Sequence, residues 1–91
     1  MSLIRKETVE NDGNKYEYSL YVNESKSVAS FRLPLYSVKI ILTLKNGKET
    51  EYFARDLFCD TKIAISFFEM LVDKLATPMN LPYIIEDTLY A

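Results

Sequence analysis

The chain of 91 residues has no histidine, one cysteine, two glycines and three prolines. Without histidine it lacks the commonest general base and the commonest metal-binding side chain. The single thiol, Cys59, excludes an internal disulfide and therefore a disulfide-stabilised secreted scaffold. Both glycines, Gly13 and Gly47, lie in predicted hairpin turns, so the glycine-rich loops that bind nucleotide phosphates are absent. We therefore expect a protein that is not an enzyme and that has no cofactor and no metal site.

Long apolar runs are missing as well. The most apolar stretch, residues 63–72, is interrupted by Ser66 and Glu69 and is far shorter than the ~20 residues of a membrane-spanning helix. No apolar segment typical of a signal peptide follows Met1, so we expect a cytoplasmic protein without a membrane association. A composition of 48% hydrophobic and 26% charged residues is typical of a globular chain, and the length predicts one domain over residues 1–91.

Two dipeptides predict β-hairpins in the first half of the chain. Asp12-Gly13 and Asn46-Gly47 each favour a type I′ turn, which needs positive φ at both central residues. In the first hairpin, a two-residue loop places Val9 opposite Tyr16. In the strand after this loop, side chains alternate between two faces, and the apolar face is formed by Tyr16, Tyr18, Leu20 and Val22. The strand before it, residues 5–10, is charged, as is typical of a sheet edge.

The second hairpin raises a question of register. A two-residue loop at Asn46-Gly47 places Ile41 opposite Tyr52 and Thr43 opposite Thr50. It also sets Leu42 opposite Glu51, and a carboxylate on a buried face is costly unless it reaches water. Two interpretations remain: the tip of the hairpin overhangs the core, or a bulge shifts the register. We favour the overhang.

The segment between the hairpins predicts a turn and a short strand. Residues 23–27 are polar and typical of a turn, whereas residues 28–33 alternate between apolar and polar side chains. Pro34 is predicted to end this strand because proline cannot donate a ladder hydrogen bond.

The second half of the chain has helical periodicity. Asp60 is a predicted N-cap for a helix over residues 61–76, which Thr77-Pro78 ends. A shorter helix over residues 81–89 has an apolar face of Ile84, Ile85 and Leu89. Hairpins followed by helices predict an α+β fold: an antiparallel sheet of four to five strands built from two hairpins, followed by one long and one short helix packed on the sheet.

Two segments and the capped helix resemble a known family. The segment YSVKI at residues 36–40 and the tail LPYIIEDTL at residues 81–89 are similar to a family of small, clostridial-type bacterial domains of unknown function. The resemblance covers residues 15–89, and the family often has glycine where this chain has Ser37. It implies a β-rich front and a helical back, and it implies no activity, catalytic residue or ligand.

Few side chains suggest chemistry. Cys59 precedes the predicted helix, but it has no histidine to act as a base and two acidic neighbours, Asp56 and Asp60, so we expect no catalytic role. Glu49 and Glu51 point the same way on one strand, yet two ligands on an open strand make a poor cation site.

The main functional hypothesis is a non-enzymatic protein-interaction module, with self-association into a homodimer as its simplest form. A sheet covered by helices on one face normally has a polar second face. Here the second face is predicted to have an apolar centre and a polar rim, which is the usual anatomy of an interface. The predicted interface residues are Ile41, Tyr52, Tyr21, Thr43 and Thr50. The short helix or residues 23–33 could instead cover this face within one chain.

The alternative hypothesis is a weak binder of RNA or single-stranded nucleic acid. Residues 25–48 contain no acidic residue and five basic ones, predicted to form a basic face: Lys26, Arg32, Lys39, Lys45 and Lys48. Basic residues next to tyrosines on a sheet can contact phosphates and stack on bases. The net charge of −2 disfavours this alternative.

Overall fold

The computed structural model describes residues 1–26 and 32–90, and the side chains of all these except residues 24–26, 32, 33 and 90. The described residues form four strands followed by two helices. They are β1 (Ser2–Asn11), β2 (Asn14–Lys26), β3 (Arg32–Thr43), β4 (Glu49–Phe58), α1 (Thr61–Asp73) and α2 (Leu81–Tyr90). The strands lie in the order β1-β2-β3-β4, each antiparallel to the next, so the predicted α+β fold is confirmed.

One face of the sheet, which we call the core face, packs against the helices. Because side chains alternate along a strand, it takes every second residue of each strand. Its buried residues are Tyr16, Tyr18, Leu20, Tyr36, Val38, Ile40, Ala54 and Phe58. They form one cluster with Phe68 and Leu71 of α1 and Leu81 of α2, all fully buried. We call the opposite face of the sheet the open face.

The first hairpin has the predicted register. Val9 lies opposite Tyr16, and the turn residues Asp12 and Gly13 have φ values of 54° and 79°. These angles are those of a type I′ turn, whose twist matches that of the paired strands. As predicted, β1 is an edge strand, and its charged side chains protect that edge from pairing with other chains.

The second hairpin differs from the preferred prediction by one residue. The N–H of Gly47 donates to the carbonyl of Leu44, and the N–H of Leu44 donates to the carbonyl of Lys48, both at 2.8 Å. The loop therefore has three residues, with Gly47 at φ 87° in the bulge position. As a result Ile41 lies opposite Glu51, and Tyr52 lies opposite Ile40. The overhang interpretation is wrong, and the bulge is the correct alternative.

The segment between the hairpins is also more regular than predicted. β2 continues through Asn23 to Lys26, where a turn was expected, and Lys26 pairs with Arg32. Pro34 lies inside β3 opposite Glu24. Proline is tolerated there because the pairing of β4 with β3 extends only as far as Tyr36, which leaves one side of β3 without a neighbour. Of the strand predicted over residues 28–33, residues 28–31 lie outside the described residues.

Helix α1 begins as predicted but ends three residues early. The side chain of Asp60 accepts a hydrogen bond from the N–H of Ile63 at 3.0 Å, which caps the helix. At the other end, Leu75 has φ 54°, and the N–H groups of Leu75 and Ala76 donate to the carbonyls of Val72 and Leu71. This Schellman motif reverses the chain before Ala76, without the usual glycine.

Helix α2 has the expected position but a narrower apolar face. Ile84 and Ile85 pack against the core, whereas Leu89 is 38% exposed. Pro82 lies in the first turn, where its missing N–H costs nothing. Among the residues described, neither helix combines the length and the apolar character needed to cross a membrane.

Candidate protein-interaction surface

The open face is a continuous surface of the sheet on which neither described helix packs. Strand pairing places aromatic and aliphatic residues at its centre and charged residues around them. Its apolar members are Leu3, Tyr21, Leu35, Ile41 and Phe53. Its small or polar members are Thr8, Ser19, Asn23, Ser37 and Thr43.

Two aromatic rings form the centre of this face. Tyr21 and Phe53 lie on β2 and β4, which are separated by β3 and therefore by about 10 Å. Their ring centroids are nevertheless only 5.8 Å apart, at an interplanar angle of 79°. The two rings thus lean toward each other across β3, above Ser37, which is only 1% exposed. The hydroxyl of Ser37 accepts a hydrogen bond from the N–H of Asp56, which holds the end of β4 in place.

The aromatic pair is extended on both sides. Leu3 lies opposite Tyr21 on β1 and is 51% exposed. On the β4 side, the guanidinium of Arg55 lies 5.7 Å from the centroid of the Phe53 ring, within the range of a cation–π contact. An apolar row therefore crosses the sheet from Leu3 through Tyr21 to Phe53.

The charges around this row are balanced. Among the side chains that the structure describes, four basic ones lie on the open face, Lys6, Lys15, Lys39 and Arg55, and four acidic ones, Glu10, Glu17, Glu49 and Glu51. Lys39 contacts Glu51 at 3.0 Å, and this hydrogen bond raises the pKa of Lys39. Lys6 and Lys15 both approach Glu17, at 3.9 and 3.8 Å. These exposed pairs contribute little to folding stability, but they give the face both signs of charge.

The structure divides the five predicted interface residues between the two faces of the sheet. Tyr21, Ile41 and Thr43 lie on the open face, as expected. Tyr52 and Thr50 pair with Ile40 and Leu42, which places them on the core face. The one-residue change of register in the second hairpin is the cause, because it moves every side chain of β4 to the other face.

The predicted basic face is not assembled. Lys26 and Arg32 pair at one end of the β2–β3 ladder, whereas Lys45 and Lys48 lie in the turn at the other end of β3. Only Lys39 lies in the middle of the sheet, where it pairs with Glu51.

Two concave surfaces on the helical side are weaker candidates. A groove of about 390 Å³ lies beside α1 and is lined by Phe58, Ile63 and Phe67 among others. Its two phenylalanines are already buried, at 9% and 5% exposure, so the main exposed apolar side chain that an occupant would cover is Ile63, at 54%. A second hollow of about 460 Å³ contains Arg5, which lies 3.7 Å from both Glu7 and Glu69 and thus already has acidic partners.

Catalytic and metal-binding groups are scarce in the described part of the chain. Cys59 is exposed and lies beside the N-cap Asp60. No group of three metal-binding side chains occurs among residues 1–26 and 32–90.

Sequence reasoning missed three apolar residues of the open face, Leu3, Leu35 and Phe53, and the charged Arg55 beside Phe53. A two-residue loop at Asn46-Gly47 would place Phe53 opposite Ile40 and Arg55 opposite Val38, on the core face, whereas Phe53 lies opposite Lys39. The cost of placing Glu51 opposite Leu42 was the signal that could have corrected the assignment.

These features define a small α+β domain, a four-stranded antiparallel sheet with helices on one face and an aromatic-centred second face. The chain belongs to the family of unknown function DUF6514, whose model matches residues 1–91. This agrees with the resemblance to a family of unknown function. No curated protein and no solved structure matches the chain.

Proposed function

We propose that this protein is a non-catalytic interaction module whose open sheet face binds another protein. The observation that carries the proposal is the Tyr21–Phe53 pair, which lies on a face that neither described helix covers. An antiparallel sheet face in contact with water normally has polar side chains at its centre. Aromatic residues at the centre with a charged rim are instead the usual anatomy of a protein interface.

The balance of charge on the open face favours a protein over a nucleic acid as its partner. Nucleic-acid binding needs an excess of positive charge that displaces counterions from the phosphates. Among the described side chains, the open face has four residues of each sign. Of the five basic residues in 25–48, four lie at the two ends of the sheet and the fifth, Lys39, is paired with Glu51.

Photocrosslinking in the cells that produce the protein tests this proposal. A benzophenone amino acid in place of Phe53 lies at the centre of the open face. The same group in place of Tyr83, a 68% exposed aromatic residue on α2, is the matched control. We expect a protein adduct from position 53 and none from position 83. The absence of an adduct at position 53 in a folded, expressed protein contradicts the proposal.

A further inference from the structure

We infer that the partner of the open face is a second copy of this chain, bound about a twofold axis that passes near Tyr21 and Phe53. The inference rests on the proposed function, because it names the occupant of the same surface. It follows from the charge pattern of the face, from the direction of its apolar row and from its area.

The charge pattern is self-complementary in sign. Four basic and four acidic residues balance each other on the part of the open face that the structure describes, so this part of the face does not repel a second copy. The two signs are also interspersed, since Lys39 contacts Glu51 and Lys15 contacts Glu17. In a twofold-symmetric dimer every contact between the copies occurs twice, once on each side of the axis. A basic residue of one copy that meets an acidic residue of the other therefore forms two equivalent ion pairs at the rim.

The apolar row is suited to the same symmetry. It runs across the strands from Leu3 through Tyr21 to Phe53, with the aromatic pair near its β4 end. A twofold axis that lies in the plane between the two sheets, perpendicular to the row and passing at Tyr21, lays the row of one copy antiparallel on the row of the other. The Leu3 side chain, 51% exposed in the monomer, then covers the Phe53 ring of the second copy. Two sheets packed face to face in this way lie about 10 Å apart.

The area of the face indicates a reversible dimer. Four strands about 4.8 Å apart, paired over about eight residues at about 3.4 Å each, give a face of about 500 Å². Two copies together bury about 1,000 Å², the lower end of the range for specific interfaces. We therefore expect a dissociation constant above about 1 μM, because even larger interfaces extend into this range.

Sedimentation equilibrium of the full chain at about 5–500 μM tests the inference, a range that spans a micromolar dissociation constant. We expect a reversible monomer–dimer equilibrium for the wild type. Phe53→Lys should raise the dissociation constant of the dimer about 100-fold, or about tenfold for each copy, because the substitution removes the aromatic centre from both copies. The matched control is Tyr52→Lys, one residue away on β4 and 38% exposed on the core face, and it should dimerise like the wild type. Circular dichroism verifies that both variants are folded.

The outcomes separate the inference from the proposed function. A wild type that stays monomeric at 500 μM, or a dimer that Tyr52→Lys dissociates and Phe53→Lys does not, overturns the inference. Under either result, a crosslinked adduct of a different protein at position 53 still supports the proposed function. An adduct of twice the chain mass supports both. Salt-sensitive binding of a single-stranded uridine oligonucleotide by a monomeric wild type overturns both.

Discussion

Tyr21 and Phe53 meet edge to face above Ser37, at 5.8 Å between ring centroids, although a complete strand separates their backbones. The contact requires a small residue at position 37, because any larger side chain on β3 would occupy the space into which the rings lean. Ser37 also accepts the hydrogen bond from the N–H of Asp56, a residue at φ 54°. One serine therefore supports both the aromatic centre of the open face and the irregular end of β4.

Substitutions of Ser37 should separate these two roles. Ser37→Ala removes only the hydrogen bond to Asp56 and should lower the free energy of unfolding by about 0.5–1.5 kcal/mol. Ser37→Val also places two methyl groups beneath the rings, and overpacking should add about 1–3 kcal/mol to this loss. Urea unfolding of the three proteins measures the difference. If the valine variant is as stable as the alanine variant, the rings do not depend on the size of residue 37.

The sequence predicted the elements better than their register. The first hairpin could be predicted because Asp12-Gly13 forms the two-residue turn that its composition favours. The second could not, because a glycine at position 47 suits both a two-residue turn and a three-residue loop with a bulge. That difference of one residue decided which β4 side chains face the helices, and therefore which aromatic residue, Tyr52 or Phe53, belongs to the open face.

The end of α1 was missed for a comparable reason. Helical periodicity continues through Leu75, and this leucine takes the left-handed conformation that glycine usually provides. Tertiary contacts outweigh this local preference, since Leu75 packs against the core and Ala76 accepts a hydrogen bond from Tyr18.

The two glycine turns should differ in their tolerance of alanine. Both glycines have positive φ, so alanine costs about 1–2 kcal/mol at either position. A methyl group at Gly13 would also lie 2.4 Å from Cε of Lys45, whereas one at Gly47 meets nothing within 4 Å. Gly13→Ala should therefore be the more destabilising change in thermal unfolding. In a Lys45→Ala background, Gly13→Ala and Gly47→Ala should be equally destabilising. If Gly13→Ala remains the more destabilising change there, the Lys45 side chain is not the cause.

The N-cap of α1 gives a prediction with an internal control. Asp60→Ala removes the side chain that accepts from Ile63 and should cost about 1 kcal/mol. Asp73→Ala removes the same charge at the other end of α1, where the helix dipole disfavours an acidic residue, and should be neutral or stabilising by about 0.3–1 kcal/mol. Equal effects of the two substitutions in urea unfolding would indicate a general effect of charge.

Tyr18 connects the centre of the sheet to the end of α1. Its hydroxyl donates a buried hydrogen bond of 2.8 Å to the carbonyl of Ala76. Tyr18→Phe keeps the ring and leaves this carbonyl without its partner, which should cost about 1–3 kcal/mol at neutral pH. Tyr36→Phe is the comparison, because the hydroxyl of Tyr36 bonds to Thr61, whose side chain can turn to water. The loss should be smaller at position 36, as measured by urea unfolding.

The stability of the fold should also fall at alkaline pH because of Tyr18. Burial, with a smaller contribution from Tyr16, raises the pKa of Tyr18 from 10.0 to about 12. The native state holds this proton more tightly than the unfolded state, so the stabilisation is complete below pH 10 and is lost as the pH rises toward 12. At about 1.4 kcal/mol for each pKa unit, the complete loss approaches about 3 kcal/mol. Tyr18→Phe has no such proton, so the stability difference between wild type and variant should shrink between pH 9 and pH 12. Urea unfolding of both proteins across this range measures the difference, and parallel pH profiles would show that other groups cause the alkaline loss.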